Sequence, residues 1–152
     1  MADYAGAAAA MRQRLTANFT AIPVAMQNMA PPANPWPPID PATGNPAPWA
    51  FMEVLPTTSA AYATGVPGDQ TYRYLGLIHV HVFVPVDAGS EIAEGYAVAA
   101  GEVFRNQKFY DNGAGDYVRT LAPDIDGGGS DADQGNTWRI TMTVPFEYYH
   151  RG

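Results

Sequence analysis

The run from Thr71 to Val86 constrains the fold most. Tyr72, Tyr74, Ile78, Val80, Val82 and Val84 fall on one face of an extended chain, and Leu75, Leu77, His79, His81 and Phe83 fall on the other. A period of two, rich in β-branched and aromatic residues on both faces, predicts a central β-strand. The run is interrupted by His79, His81 and Pro85 and is shorter than the ~20 apolar residues a membrane-crossing helix needs. The same period recurs from Asn136 to Tyr148, with Trp138, Ile140, Met142, Val144, Phe146 and Tyr148 opposite Thr137, Arg139, Thr141 and Thr143. A shorter strand is predicted over Trp49 to Leu55, ended by Pro56, with Trp49, Phe51 and Leu55 on one face and Ala50, Met52 and Val54 on the other. Thr57 to Thr64 continues it or forms a second edge strand, and Gly65 to Asp69 is a turn.

Helical periodicity appears twice. Tyr4, Ala8, Met11, Leu15 and Phe19 form one stripe on an alanine-rich helix. Ile92, Tyr96, Ala99, Val103 and Phe104 form another, on a helix capped by Asp87 or Ser90 and reaching about Gln107. Ala93, Gly95, Ala97, Ala100 and Gly101 would let that second helix lie close to a sheet. Thr20 to Met26 reads as a short extended piece, its Pro23 suited to an edge. Between Gln27 and Pro48, prolines at 31, 32, 35, 37, 38, 41, 46 and 48 forbid helix and central strand, which leaves a long arm or loop. Asn112-Gly113 marks a turn, Tyr117 to Leu121 a strand, and Asp124 to Gly135 a mobile Gly/Asp-rich loop. The order predicts an α+β fold, a mostly antiparallel sheet with two main helices packed on one face, as one domain over residues 1–152 with an arm at 27–48.

Composition narrows the function. With 47% hydrophobic residues in 152, a core can form without metals or disulfides, and the absence of cysteine removes Cys-based zinc sites. Arg12 and Arg14 follow the alanines at 7–10, the reverse of a signal peptide, so no export signal is expected and the chain should be soluble. Eight Lys plus Arg against fifteen Asp plus Glu give a charge of −7, which disfavours sequence-specific nucleic-acid binding. A wall that does not stick to a polyanion is what a conduit for DNA would require.

Candidate chemistry is sparse. His79 and His81 point to one side of a strand, as metal-binding His-x-His pairs do, with His150 a possible third ligand; a partly exposed sheet face explains them as well. Asp124, Asp126, Asp131 and Asp133 around Gly127 to Gly129 resemble a calcium loop, but Gly135 stands where an EF-hand places its glutamate, so a solvated loop is expected. No Gly-x-Ser-x-Gly elbow, no base beside Ser59, Ser90 or Ser130, and no Gly-x-x-x-x-Gly-Lys occurs. Neither an enzyme nor a cofactor is predicted. Trp36, within Asn-Pro-Trp-Pro-Pro, either anchors a partner or folds back onto its own sheet.

Tyr72-Arg73-Tyr74-Leu75-Gly76-Leu77-Ile78 running into Val82-Phe83-Val84-Pro85 resembles the small tail-terminator or tail-completion proteins of siphophages and gene transfer agents. Met11 to Leu15, Asn18-Phe19, Ile22 to Val24, Trp49 to Leu55, the Gly65 to Gly68 turn and Trp138 to Phe146 are similar as well. The proline arm and the Asp/Gly loop depart from the pattern. The resemblance implies a six-membered homo-oligomeric ring that caps the tail tube, stops its polymerisation and meets the head-side connector or neck protein. It implies DNA passing through the lumen, assembly in the host cytoplasm, residence at the head-tail junction, and no catalytic residue. The arm, the 57–70 segment and the acidic loop are expected to face ring neighbours or the lumen, with Trp36, Tyr62, Asp69, Tyr72, Arg73, Asp124, Asp126, Asp131 and Asp133 as candidate interface residues. The rivals are a head-completion or neck protein, a small metal-dependent enzyme or barrel built on His79 and His81, and a monomeric module displaying Trp36.

Overall fold

A computed structural model describes residues 3–131 and 136–152. Helix α1 spans Tyr4–Asn18, and Asp3 caps it by accepting the Gly6 N–H on its side chain at 2.6 Å. After α1 come β1 (Val24–Met26), β2 (Trp49–Ala61), β3 (Thr71–Pro85), α2 (Ser90–Phe104), β4 (Lys108–Phe109), β5 (Tyr117–Thr120), β6 (Asp124–Ile125), β7 (Gly129–Asp131) and β8 (Thr137–Arg151). The sheet runs β1-β2-β3-β8-β5-β4, with β6 and β7 also paired to β8. All pairings are antiparallel except β1 with β2, so the fold is α+β with a mixed, mostly antiparallel sheet.

As its alternation predicts, β3 lies centrally, paired along its length with β2 and β8. Ile78, Val80, Val82 and Val84 join Ile140, Met142, Val144, Phe146 and Tyr148 in one core. Ala50, Met52 and Val54 of β2, Ala7, Ala8, Met11 and Leu15 of α1, and Ala93, Ala97, Ala100 and Phe104 of α2 complete it. Tyr4 stacks on Tyr74 at 5.3 Å between ring centroids, tying the start of α1 to β3.

Several elements differ from their sequence-based expectation. β2 does not end at Pro56 but passes through it to Ala61, the continuation that was one of the two alternatives for Thr57 to Thr64, with a bulge between Pro56 and Thr58. Proline is tolerated in a strand at edges and bulges, and both conditions hold here. Neither Asp87 nor Ser90 caps α2; its cap is Gly89, without a side-chain hydrogen bond, and the helix stops at Phe104, before Gln107. Its inner face is the small-residue one, with Val103 and Phe104 of the expected stripe buried beside it. Ala93, Ala97, Ala100 and Gly101 are buried, whereas Ile92 is 46% exposed and Ala99 and Gly95 face solvent. The helix presses so close that a Cβ on Gly101 would meet Pro123 at 3.1 Å, which selects small residues for the inner face. Asp124 to Asp131 is no open loop: β6 and β7 add two short strands to β8.

Candidate assembly surface

The β2–β3 hairpin extends beyond the core. From Leu55 to Ala61 every residue of β2 is exposed, and the connecting turn carries Tyr62, 54% exposed, and Val66, 66% exposed. The turn is fixed to the end of β8. Arg151 donates from Nε and Nη2 to Asp69 Oδ1, each at 2.7 Å, and the backbones of Gln70 and Gly152 exchange two hydrogen bonds. The guanidinium lowers the Asp69 pKa, and the Asp69 carboxylate raises that of Arg151.

Across this end of the sheet runs a ladder of rings and cations. Arg73 lies over Tyr62 at 4.9 Å, Tyr62 meets Tyr149 edge-on at 5.2 Å, Tyr149 stacks on Tyr117 at 4.8 Å, and Lys108 lies over Tyr117 at 4.4 Å. Desolvation, with the Glu147 carboxylate that accepts its hydroxyl proton at 2.9 Å, pushes the Tyr149 pKa up to about 12. The structure therefore brings Tyr62, Asp69 and Arg73 together. Tyr72, next to Arg73 in an alternating strand, points to the opposite face. Tyr149, Tyr117, Lys108 and Arg151 were missed from sequence. The signal for Tyr149 and Arg151 was the alternation of β8, which continues past Tyr148.

The other expected contact residues lie elsewhere. Trp36 packs edge-on against Trp49 at 5.1 Å, and Trp49 stacks on Phe83 at 4.1 Å, so the arm returns to its own sheet and Trp36 stays half-buried there. Asp126 accepts the N–H groups of Gly128 and Thr141, both at 3.0 Å, and so holds the β6–β7 turn against β8. Asp124 accepts the N–H of Ile125 at 3.0 Å. Asp131 pairs with Thr137 in the β7–β8 ladder, and Asp133 lies outside the described residues.

His79 and His81 share a face, as their spacing requires, with ring centroids 5.7 Å apart. Each engages a threonine hydroxyl of β8 through Nδ1, Thr143 at 2.8 Å and Thr141 at 2.7 Å, and His81 Nε2 lies 3.4 Å from Glu53. His150 is not their third ligand. His79 pairs with Thr143, so His150 stands seven residues further along β8, about 23 Å away at a strand rise of roughly 3.3 Å per residue. It is also of the opposite parity, and its Nδ1 faces Asp116 at 3.5 Å. Among the described residues no group of three or more His, Cys, Asp or Glu could hold a metal ion.

The chain is a small α+β protein whose sheet ends in an exposed hairpin pinned to the end of β8. The family model for phage tail terminator proteins matches residues 7–146, and the chain belongs to that family. Its role is therefore structural, in the phage tail. No curated protein matches the sequence. One solved structure is 20% identical, is matched over 93% of this chain and 92% of its own, and superposes with a TM-score of 0.62, a likeness of fold. None of the described helices is long and apolar enough to cross a membrane.

Proposed function

We propose that the chain, acting as one domain, closes into a homohexameric ring at the head-proximal end of the tail tube. There it stops tube polymerisation and presents a face to the head connector, and DNA passes through its lumen without sequence recognition. The observation that carries this reading is membership of the tail terminator family over residues 7–146. The net charge of −7 supports it, because a lumen that repels phosphates lets a polyanion slide. The hairpin end, with Tyr62 and Arg73 exposed or half-exposed and held in place by Asp69 and Arg151, supplies a preformed contact surface.

Deleting the gene in a producing strain and measuring tails by negative-stain electron microscopy tests the role. Tails of uncontrolled length are expected. Normal-length tails detached beside filled heads would move the assignment to a head-completion or neck protein, and unchanged particles would refute a part in assembly.

A further inference from the structure

The outer edge of β2 can be followed hydrogen bond by hydrogen bond. The Tyr62 N–H donates to Thr71 O at 2.8 Å, while Gln70 bonds to Gly152 on the other side. Backbone groups of a strand alternate in direction, so odd-numbered residues of β3 turn theirs toward β2 and even-numbered ones toward β8. In the register Thr58 with Leu75, Ser59 with Tyr74, Ala60 with Arg73 and Ala61 with Tyr72, the groups of Thr58 and Ala60 point into the ladder. Those of Ser59 and Ala61 point out of it.

On the near side of the bulge the parity is reversed, and there Ala50, Met52, Val54 and Pro56 point outward. Each outward N–H there is accounted for. Ala50 donates to Pro23 O at 2.9 Å, Met52 lies within the β1 pairing, and Val54 donates to the Gln27 side chain at 2.9 Å. Pro56 has no N–H to satisfy. Beyond it the closure stops. Ser59 and Ala61 each turn an N–H and a C=O outward, on a stretch whose two faces are exposed, and no partner reaches them among the described residues.

We propose that the Thr57–Ala61 edge of β2 is the docking site for a strand from a second copy of this chain. This deepens the ring reading above and rests on it. A second copy is favoured by charge. Val54 to Gly68 holds no Asp, Glu, Lys or Arg, in a chain of net charge −7, so copies meet at this edge without opposing carboxylates. Strand addition draws its affinity from the main chain, which any copy supplies. The clamp of Arg151 on Asp69 holds the hairpin in its paired form beforehand, so little ordering accompanies docking. Edges meant to stay free carry lysine or glutamate, and this one has only Pro56 and its bulge, both before the open stretch.

The test uses the full chain, with assembly state followed by light scattering and amide exchange followed residue by residue. Ser59→Pro deletes an outward donor and leaves the β3 ladder its bonds; Ala61→Lys places a charge on the edge. In the assembled wild type, the Ser59 and Ala61 amides should exchange at least about tenfold more slowly than in dilute monomer, and both variants should remain folded monomers. If Ser59→Pro fails to fold, Ala61→Lys and the wild-type exchange decide. A wild-type ring with these amides unprotected, or one that both variants still form, would overturn the edge proposal and leave the ring standing. A wild type monomeric at every concentration would remove the ring reading itself.

Discussion

His79 shows how a side chain can fit a site without acting as a ligand. Burial lowers its pKa below the ordinary 6.5, the neighbouring His81 lowers it further, and Glu53 opposes both. The unfolded chain therefore binds a proton that the folded chain resists, so stability from this group is complete above about 6.5 and falls as pH drops below it toward the folded pKa. Urea unfolding between pH 7.5 and pH 5.5, values chosen to bracket roughly the histidine range, should show a smaller loss for His79→Gln than for the wild type. Depressed carboxylates such as Asp69 and Asp111 titrate in a lower window and do not mimic this effect. Gly76 answers to packing instead. A Cβ there would lie 2.5 Å from the Leu55 carbonyl and 2.5 Å from the Phe146 ring. One of these contacts is backbone, so Gly76→Ala should destabilise by about 1–3 kcal/mol in denaturant melts.

At the scale of elements, α2 makes the sharpest test, because periodicity selected the helix and its small residues marked the close face, but only part of the apolar stripe is buried. Ile92 and Tyr96 have larger side chains than Ala93, Ala97 and Ala100, yet it is the alanines that face the sheet, with Val103 and Phe104 buried at the end of the helix. Apolar bulk is a poor guide where two backbones must approach closely, since only small residues fit between them. Ala97 is fully buried, so Ala97→Leu should cost about 1–3 kcal/mol through overpacking. Val98, 49% exposed, should tolerate alanine with little change in melting temperature. The strands were more legible than the helix: alternation sorted β3 and β8 into faces and predicted the central place of β3, while which face of β3 meets the core was left to the structure. The β6 and β7 strands were not legible, because their glycines and aspartates signal turns and only the length of β8 offers them a partner.

At the scale of the whole molecule, carboxylates are spread over both ends of the sheet. Asp87, Glu91 and Glu94 lie near the start of α2 and Asp124 and Asp126 beside the first half of β8, which carries Arg139, while Asp69, Asp116 and Glu147 accompany Arg73, Arg119 and Arg151 at the hairpin end. Copies of net charge −7 repel at long range. If they join through a neutral edge, raising salt from about 20 mM to about 300 mM should increase the assembled fraction by screening that repulsion. A contact built on opposite charges would instead weaken with salt. Sedimentation across this range separates the two.

The sequence by itself determined the strand alternations, the first helix, the proline arm and the turn at Gly65 to Asp69. Each depends on the stereochemistry of residues within a few positions of one another. It also carried the family, through apolar and glycine positions spread over most of the chain. Only the tertiary structure decided between a continued β2 and a separate edge strand beyond Pro56, left Ile92 and Ala99 of α2 in solvent, and placed His150 far from His79 and His81. It alone showed that Gln27 seals the edge at Val54 and that closure ends before Ser59. The physical reason is common to all of these. Register, helix rotation and backbone parity are set by partners tens of residues away, and no local period records which partner arrives.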